Sequence, residues 1–337
     1  MNREFLRIAL VITITVRGYR LVCKPLPAKK KNDRIHAGEL RAACAATSAW
    51  LGIITCTDRV LYRVTSRADL TGKYGRITIC IGSGAMAQIV TPVQLKTHTL
   101  TSFNVYIRDA EAAMEQALAD GCPFLWSDVN SERAQQVGGG QIVAQFWSGH
   151  GPIKVPHGLI HDWIGTSFIP DTSVEEVLAL VQDYDNHKNI YKPEVIASRL
   201  ISHCGNDFQI YLRLLKKKIV AVVLDTDHDV HYRSLDRAHW LCHSCTTRIS
   251  EVENAGRPKE RVLPPDTGSG FLWRLYSYWR FQEREDGAYV ECRAISLTRD
   301  VPTGLGWIIE PIIQKLPGES LIHTLEATRQ AILAKAR

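Results

Sequence analysis

The sequence predicts an α+β fold in which an antiparallel sheet is followed by one long C-terminal helix. Six strand-like stretches, 194–203, 207–215, 219–232, 239–252, 271–284 and 288–299, run almost consecutively. Several are joined by short turns such as Gly205-Asn206-Asp207 and Asp286-Gly287, the pattern of an antiparallel meander. A strand and a short helix precede this run, and Leu321, Leu325, Thr328 and Ile332 follow it at helical spacing.

In chain order, the first regular element is a helix near 98–120. Leu100, Phe103, Ile107, Met114 and Leu118 recur at helical intervals, and Gly121-Cys122-Pro123 stops it. Short apolar runs separated by Gly138-Gly139-Gly140 read as a linker, with a boundary near residue 150. His161 to Ile169 then alternates as a strand, and Ser173-Val174-Glu175-Glu176 has the form of a capping box that opens an apolar helix. The connection Glu253 to Gly270, with three prolines and three glycines, reads as a mobile loop. Pro311 is expected to interrupt an apolar helical piece at Gly304 to Leu316. The chain thus divides into a basic extension (1–95), a helical lead-in and linker (96–150) and a main domain (151–337).

Charge separates the first part from the rest. The net charge of +6 over 337 residues is uneven: residues 1–80 hold 15 Lys and Arg against 5 Asp and Glu, while residues 81–337 hold 26 against 30. The body is therefore mildly acidic, and no nucleic-acid partner is expected for it. At 45% hydrophobic and 23% charged the composition excludes a disordered or collagen-like chain. The longest apolar run, Ile8 to Val16, stops at Arg17, short of a membrane span. Ile77 to Ile81 followed by Ala85-Met86-Ala87 has the form of an export signal placed late in the chain, as if translation began downstream of Met1. With that signal the protein is exported, to a periplasm or beyond; without it, cytoplasmic.

Motifs that carry chemistry are sparse. The nine cysteines show no disulfide spacing. Cys242 and Cys245 lie within a strand-like stretch, where residues three apart face opposite sides, and the same holds for His228 and His231. No metal site or cofactor is expected, and local spacing fixes no catalytic pair. The sequence leaves the oligomeric state open.

Two stretches carry a resemblance. Val174 to Tyr184 followed by Tyr191-Lys192-Pro193-Glu194-Val195, and the passage from Leu297 through Asp300-Val301-Pro302 and Gly304-Leu305-Gly306-Trp307 into the last helix, resemble the START-like, or SRPBCC, helix-grip superfamily. The likeness is strongest over 158–335 and reaches back to about 98, where the lead-in helix is similar to that of a group of exported bacterial members. It implies a curved sheet wrapped around the C-terminal helix, with a cavity between them that holds a hydrophobic ligand.

On that reading the residues expected around the cavity are Trp163, Phe208, Ile210, Leu212, Trp273, Leu275, Trp307 and Ile308. The apolar residues among them would equally serve as ordinary core. Arg213 and Arg274 join the set if a β-bulge turns them inward toward a polar head group. The expected function is binding or transport of a lipid, isoprenoid or polyketide-like molecule. An enzyme of the same fold, of aromatase/cyclase or hydrolase type, is the alternative, and a structural or partner-binding module the third.

Overall fold

The structure is a computed structural model that describes residues 63–65, 78–80, 92–217, 221–300 and 306–335. The side chains of residues 63–65, 78–80, 217 and 306–314 are outside the description. The chain divides into two units, Met1–Leu61 and Tyr62–Arg337. The first unit, the export-signal motif at Ala85 to Ala87 and most of the basic extension lie outside the described residues. Within the second unit, β1 (Arg63–Thr65) pairs with β2 (Thr78–Cys80).

The regular part starts with β3 (Val93–Gln94) and α1 (Thr97–Ala119). After α2 (Ser131–Gly138) come β4 (Val143–Phe146), β5 (Ile153–Val155) and the long β6 (Gly158–Pro170). Ser173 then caps α3 (Val174–Val181): its hydroxyl accepts from Glu176 N–H, and the Glu176 carboxylate accepts from Ser173 N–H, as the motif requires. The short α4 (His187–Ile190) leads into β7 (Val195–Cys204), β8 (Asp207–Lys217), β9 (Ala221–Ser234) and β10 (His239–Glu253). β11 (Arg261–Val262) and β12 (Thr267–Gly268) precede β13 (Arg274–Arg284), β14 (Gly287–Arg299) and α5 (Gly306–Lys335).

One antiparallel sheet dominates, in the order β4-β6-β14-β13-β10-β9-β8-β7, with β5 also on β6 and β11 also on β10. The last helix lies across one face of it. A Cβ on Gly165 of β6 would stand 3.1 Å from a Leu325 methyl of α5, so the odd-numbered residues of β6 face the helix. The even-numbered residues Ile160 and Asp162 face α1 instead: Ile160 packs with Phe103 and Ile107, and Tyr106 O–H donates to Asp162 at 2.6 Å. The sheet is therefore covered on both faces. This is the helix-grip arrangement that the element order implied, with α1 added on the far side.

Three expectations are corrected. Residues 121–150 do more than link, because β4 pairs with β6, and Leu125 and Val137 pack with Phe168 and Tyr289. Short apolar runs next to a long strand gain more by extending its sheet than by staying in solvent, since the ladder satisfies their backbone groups. The 253–270 connection is pinned at two points, β11 to β10 and β12 to β3, with Leu263 buried beneath it. Pro311 does not divide the last helix, which is continuous from Gly306. Packing of its later turns on the sheet offsets the roughly 3 kcal/mol that an interior proline costs.

Candidate functional site

Between the sheet and α5 lies a cavity of about 340 Å³, within the range of small-molecule sites. Strand alternation builds most of its wall. Ile210, Leu212 and Leu214 of β8 project from one face, and Val230 of β9 and Leu275, Trp279 and Phe281 of β13 line the same cavity. Leu316, Leu321 and Thr324 of α5 close the opposite side. The turn of α3 into α4 adds Tyr184 and His187 at one end, where the Tyr184 and Tyr232 hydroxyls stand 2.9 Å apart.

The groups facing this interior are held neutral. His187 Nε2–H donates to Val181 C=O at 3.0 Å, which places its single proton on Nε2. Burial pushes its pKa down to about 4, against a smaller upward pull from the Val181 bond. His228 is likewise pushed down to about 4 by burial. Its protonation follows from a chain of bonds: Thr226 O–H donates to Leu212 C=O at 3.0 Å, so His228 Nε2–H donates to Thr226 Oγ1 at 2.9 Å. That leaves Nδ1 as an acceptor, 3.4 Å from the Ser244 hydroxyl. Burial also raises the thiol of Cys242 to about 12 and the phenol of Tyr191 to about 12.

Charge sits elsewhere on the lining. Lys216, near the end of β8, pairs with Glu194 and donates to Ser320 Oγ of α5 at 2.9 Å, and Ser320 O–H donates to Glu194 at 3.1 Å. Arg299 and Asp300 follow at the end of β14. Fixed charges thus stand at strand ends, and the middle of the sheet presents apolar groups and neutral hydroxyl, imidazole and thiol groups.

The residues expected from sequence divide by face. Ile210, Leu212 and Leu275 line the cavity. Trp163 faces α5 and packs against Gly318, while Phe208 is buried between Tyr184 and Tyr232 behind the wall. Arg213, Trp273 and Arg274 are on the other side. Arg213 makes a two-bond pair with Asp225 at 2.7 and 2.9 Å, because no bulge shifts β8 against β9. Arg274 is held by Asp266 and by the Trp273 carbonyl, both at 2.6 Å. Trp273 precedes β13 and packs under α1 with Phe103 and Leu297, which removes it from the parity of Leu275 and Trp279. The side chains of Trp307 and Ile308 lie outside the described residues.

Sequence reasoning passed over Tyr184, His187, Ser244 and Ser277. The last two were within reach, since Ser244 shares the parity of Cys242 and Ser277 that of Trp279. Tyr184 and His187 were not, because a 3-10 turn and a four-residue helix have no usable period. Cys242 faces the cavity while Cys245 is on the far face beside Asp229 and Glu111, and no group of three His, Cys, Asp or Glu capable of holding a metal occurs among the described residues. Nor is any helix among them long and apolar enough to cross a membrane.

No family model and no curated protein matches the sequence. Solved structures do. A STAR-related lipid transfer protein from Xanthomonas axonopodis is 16% identical, with a TM-score of 0.37 over 54% of this chain and 97% of its own. The Zhui aromatase/cyclase from Streptomyces sp. R1128 is 11% identical, with a TM-score of 0.35 over 54% and 97%. Human STARD10 is 10% identical, with a TM-score of 0.34 over 52% and 71%. The helix-grip arrangement described above stands on this chain's own strand order and register.

Proposed function

We propose that this protein binds a hydrophobic small molecule of the lipid, isoprenoid or polyketide-like kind in the cavity between its sheet and α5. The observation that supports this reading is the cavity itself. About 340 Å³ remains open between elements whose facing side chains are mostly apolar, and an interior left open in this way forgoes the packing that a core would gain. The polar groups inside favour retention over chemistry. Of the imidazoles on the lining, His187 and His228 are not hydrogen-bonded to a carboxylate among the described residues, and these two stay neutral far below physiological pH. A general base would need a pKa nearer the working pH.

The test is extraction of natively purified protein followed by mass spectrometry, together with titration of the neutral apolar dye N-phenylnaphthylamine. Saturable dye binding at one site, competed by an apolar molecule that copurifies or is added, is the expected result. Dye binding that is absent, or unaffected by Leu212→Trp and Leu275→Trp substitutions that fill the cavity, would sink the reading.

A further inference from the structure

Beside the apolar wall, one row of residues across the sheet carries two hydroxyls. Along the register it reads Phe208, Val230, Ser244, Ser277, Ala294 and Trp163, from β8 through β9, β10, β13 and β14 to β6. The two serines are direct cross-strand partners at its centre, and both line the cavity. Cβ atoms of such partners stand about 4.5–5.5 Å apart. A serine pair in the middle of an apolar row is not needed for the ladder, which backbone groups alone complete.

The two hydroxyls are set differently by their neighbours. Ser244 lies against His228 Nδ1, which has no proton because Nε2–H is committed to Thr226. Ser244 O–H therefore points to His228, and its oxygen lone pairs are left for the cavity. Ser277 has the reverse arrangement. Trp279 Nε1–H donates to Ser277 Oγ at 3.1 Å, so that oxygen is already an acceptor and its own proton is left for the cavity. Side by side they offer one acceptor and one donor, both uncharged.

We infer that this pair is a polar seat within the cavity and that it selects an apolar molecule bearing a hydroxyl group, an alcohol or a phenol. A hydroxyl is the simplest group that donates and accepts at once: it gives its proton to Ser244 Oγ and takes the Ser277 proton on its oxygen. An ether or a ketone accepts only, and leaves Ser244 unmatched. A carboxylate has no proton for Ser244 and needs a cation nearby. The lysine of the lining, Lys216, opposes Val222, whereas Ser244 opposes Val230, about 26 Å further along β9 at about 3.3 Å per residue. Arg299 is five residues beyond Ala294 on β14, about 16 Å away by the same spacing.

The inference rests on the ligand-binding reading above, and the experiment separates the two. Naphthol and its methyl ether, methoxynaphthalene, have the same apolar body and differ in one donor. Isothermal titration calorimetry with the full-length protein is expected to show naphthol bound about tenfold tighter, the size of one net hydrogen bond. Ser244→Ala should abolish that preference, because it removes the acceptor of the naphthol proton, whereas Ser277→Ala should weaken both probes alike. The double variant should show no preference and should bind the ether as Ser277→Ala does. Equal affinity of the two probes for the wild-type protein would overturn the inference and needs no variant; so would a preference that survives the double substitution in folded protein. Failure of both probes and of the dye to bind would overturn the ligand-binding reading instead.

Discussion

Gly318 of α5 lies directly against the indole of Trp163: a Cβ placed on it would be 2.5 Å from the ring. The last helix meets the sheet at that point with no side chain of its own, and the tryptophan fills the gap. Trp163 belongs to the same row as the serine pair, so this contact also sets how far α5 stands from the cavity floor.

Gly318→Ala is therefore expected to destabilise the protein by about 1–3 kcal/mol, the usual cost of overpacking. In an unhindered helix interior the same change would stabilise by about 1 kcal/mol. The sign of the shift in urea midpoint is the readout, and a more stable variant would show that the helix has room at this position.

Tryptophan emission should report ligand binding through Trp279, whose side chain lines the cavity, and not through Trp273, which is buried under α1. Trp279→Phe should remove most of the change on adding dye or ligand, and Trp273→Phe should preserve it. The opposite pattern would place the ligand near α1.

Stability should fall as the solution is acidified from pH 7 to 5. His161, His187 and His228 are each pushed by burial to about 4, below the roughly 6.5 of an unfolded histidine. Between those values the unfolded chain takes up protons that the native state refuses, so stability present above about pH 6.5 is lost toward pH 4, by up to about 3 kcal/mol for each residue. Glu291 acts in the opposite direction. Burial raises its carboxyl to about 7, outweighing the pull of Arg280, so its contribution is full below the carboxyl's ordinary range and is lost as the pH rises through 7. Urea unfolding at the two pH values should show the net loss, and Glu291→Gln should make it steeper. A variant with a shallower pH dependence would contradict the assignment.

Removing residues 1–87 should leave the thermal midpoint unchanged, because β3 and α1 remain. Removing residues 1–122 should not be tolerated. Loss of α1 would uncover Ile160, Trp273, Ile295 and Leu297, and would expose the buried Asp162–Arg293 pair to which Tyr106 donates. A shorter chain that stayed soluble with one sharp unfolding transition would show that α1 is dispensable.

Much of the fold could be read along the chain because its signals are local. The capping box at Ser173, the turns at Gly205 and Gly287, and the spacing of Leu321, Leu325, Thr328 and Ile332 each act within a few residues of themselves. Parity along β8 likewise placed Ile210 and Leu212 on the cavity side, since alternation is a property of any extended strand.

What sequence could not supply is which groups meet across strands. Residue types and alternation determined the meander, the terminal helix and an apolar wall. Only the tertiary structure decided that Trp273 turns away under α1, that Arg213 spends its charge on Asp225, and that Ser244 and Ser277 come together 33 positions apart in the chain. Register and a second covering layer set those outcomes. Both depend on how the whole sheet closes against two helices, and no short window of residues contains that information.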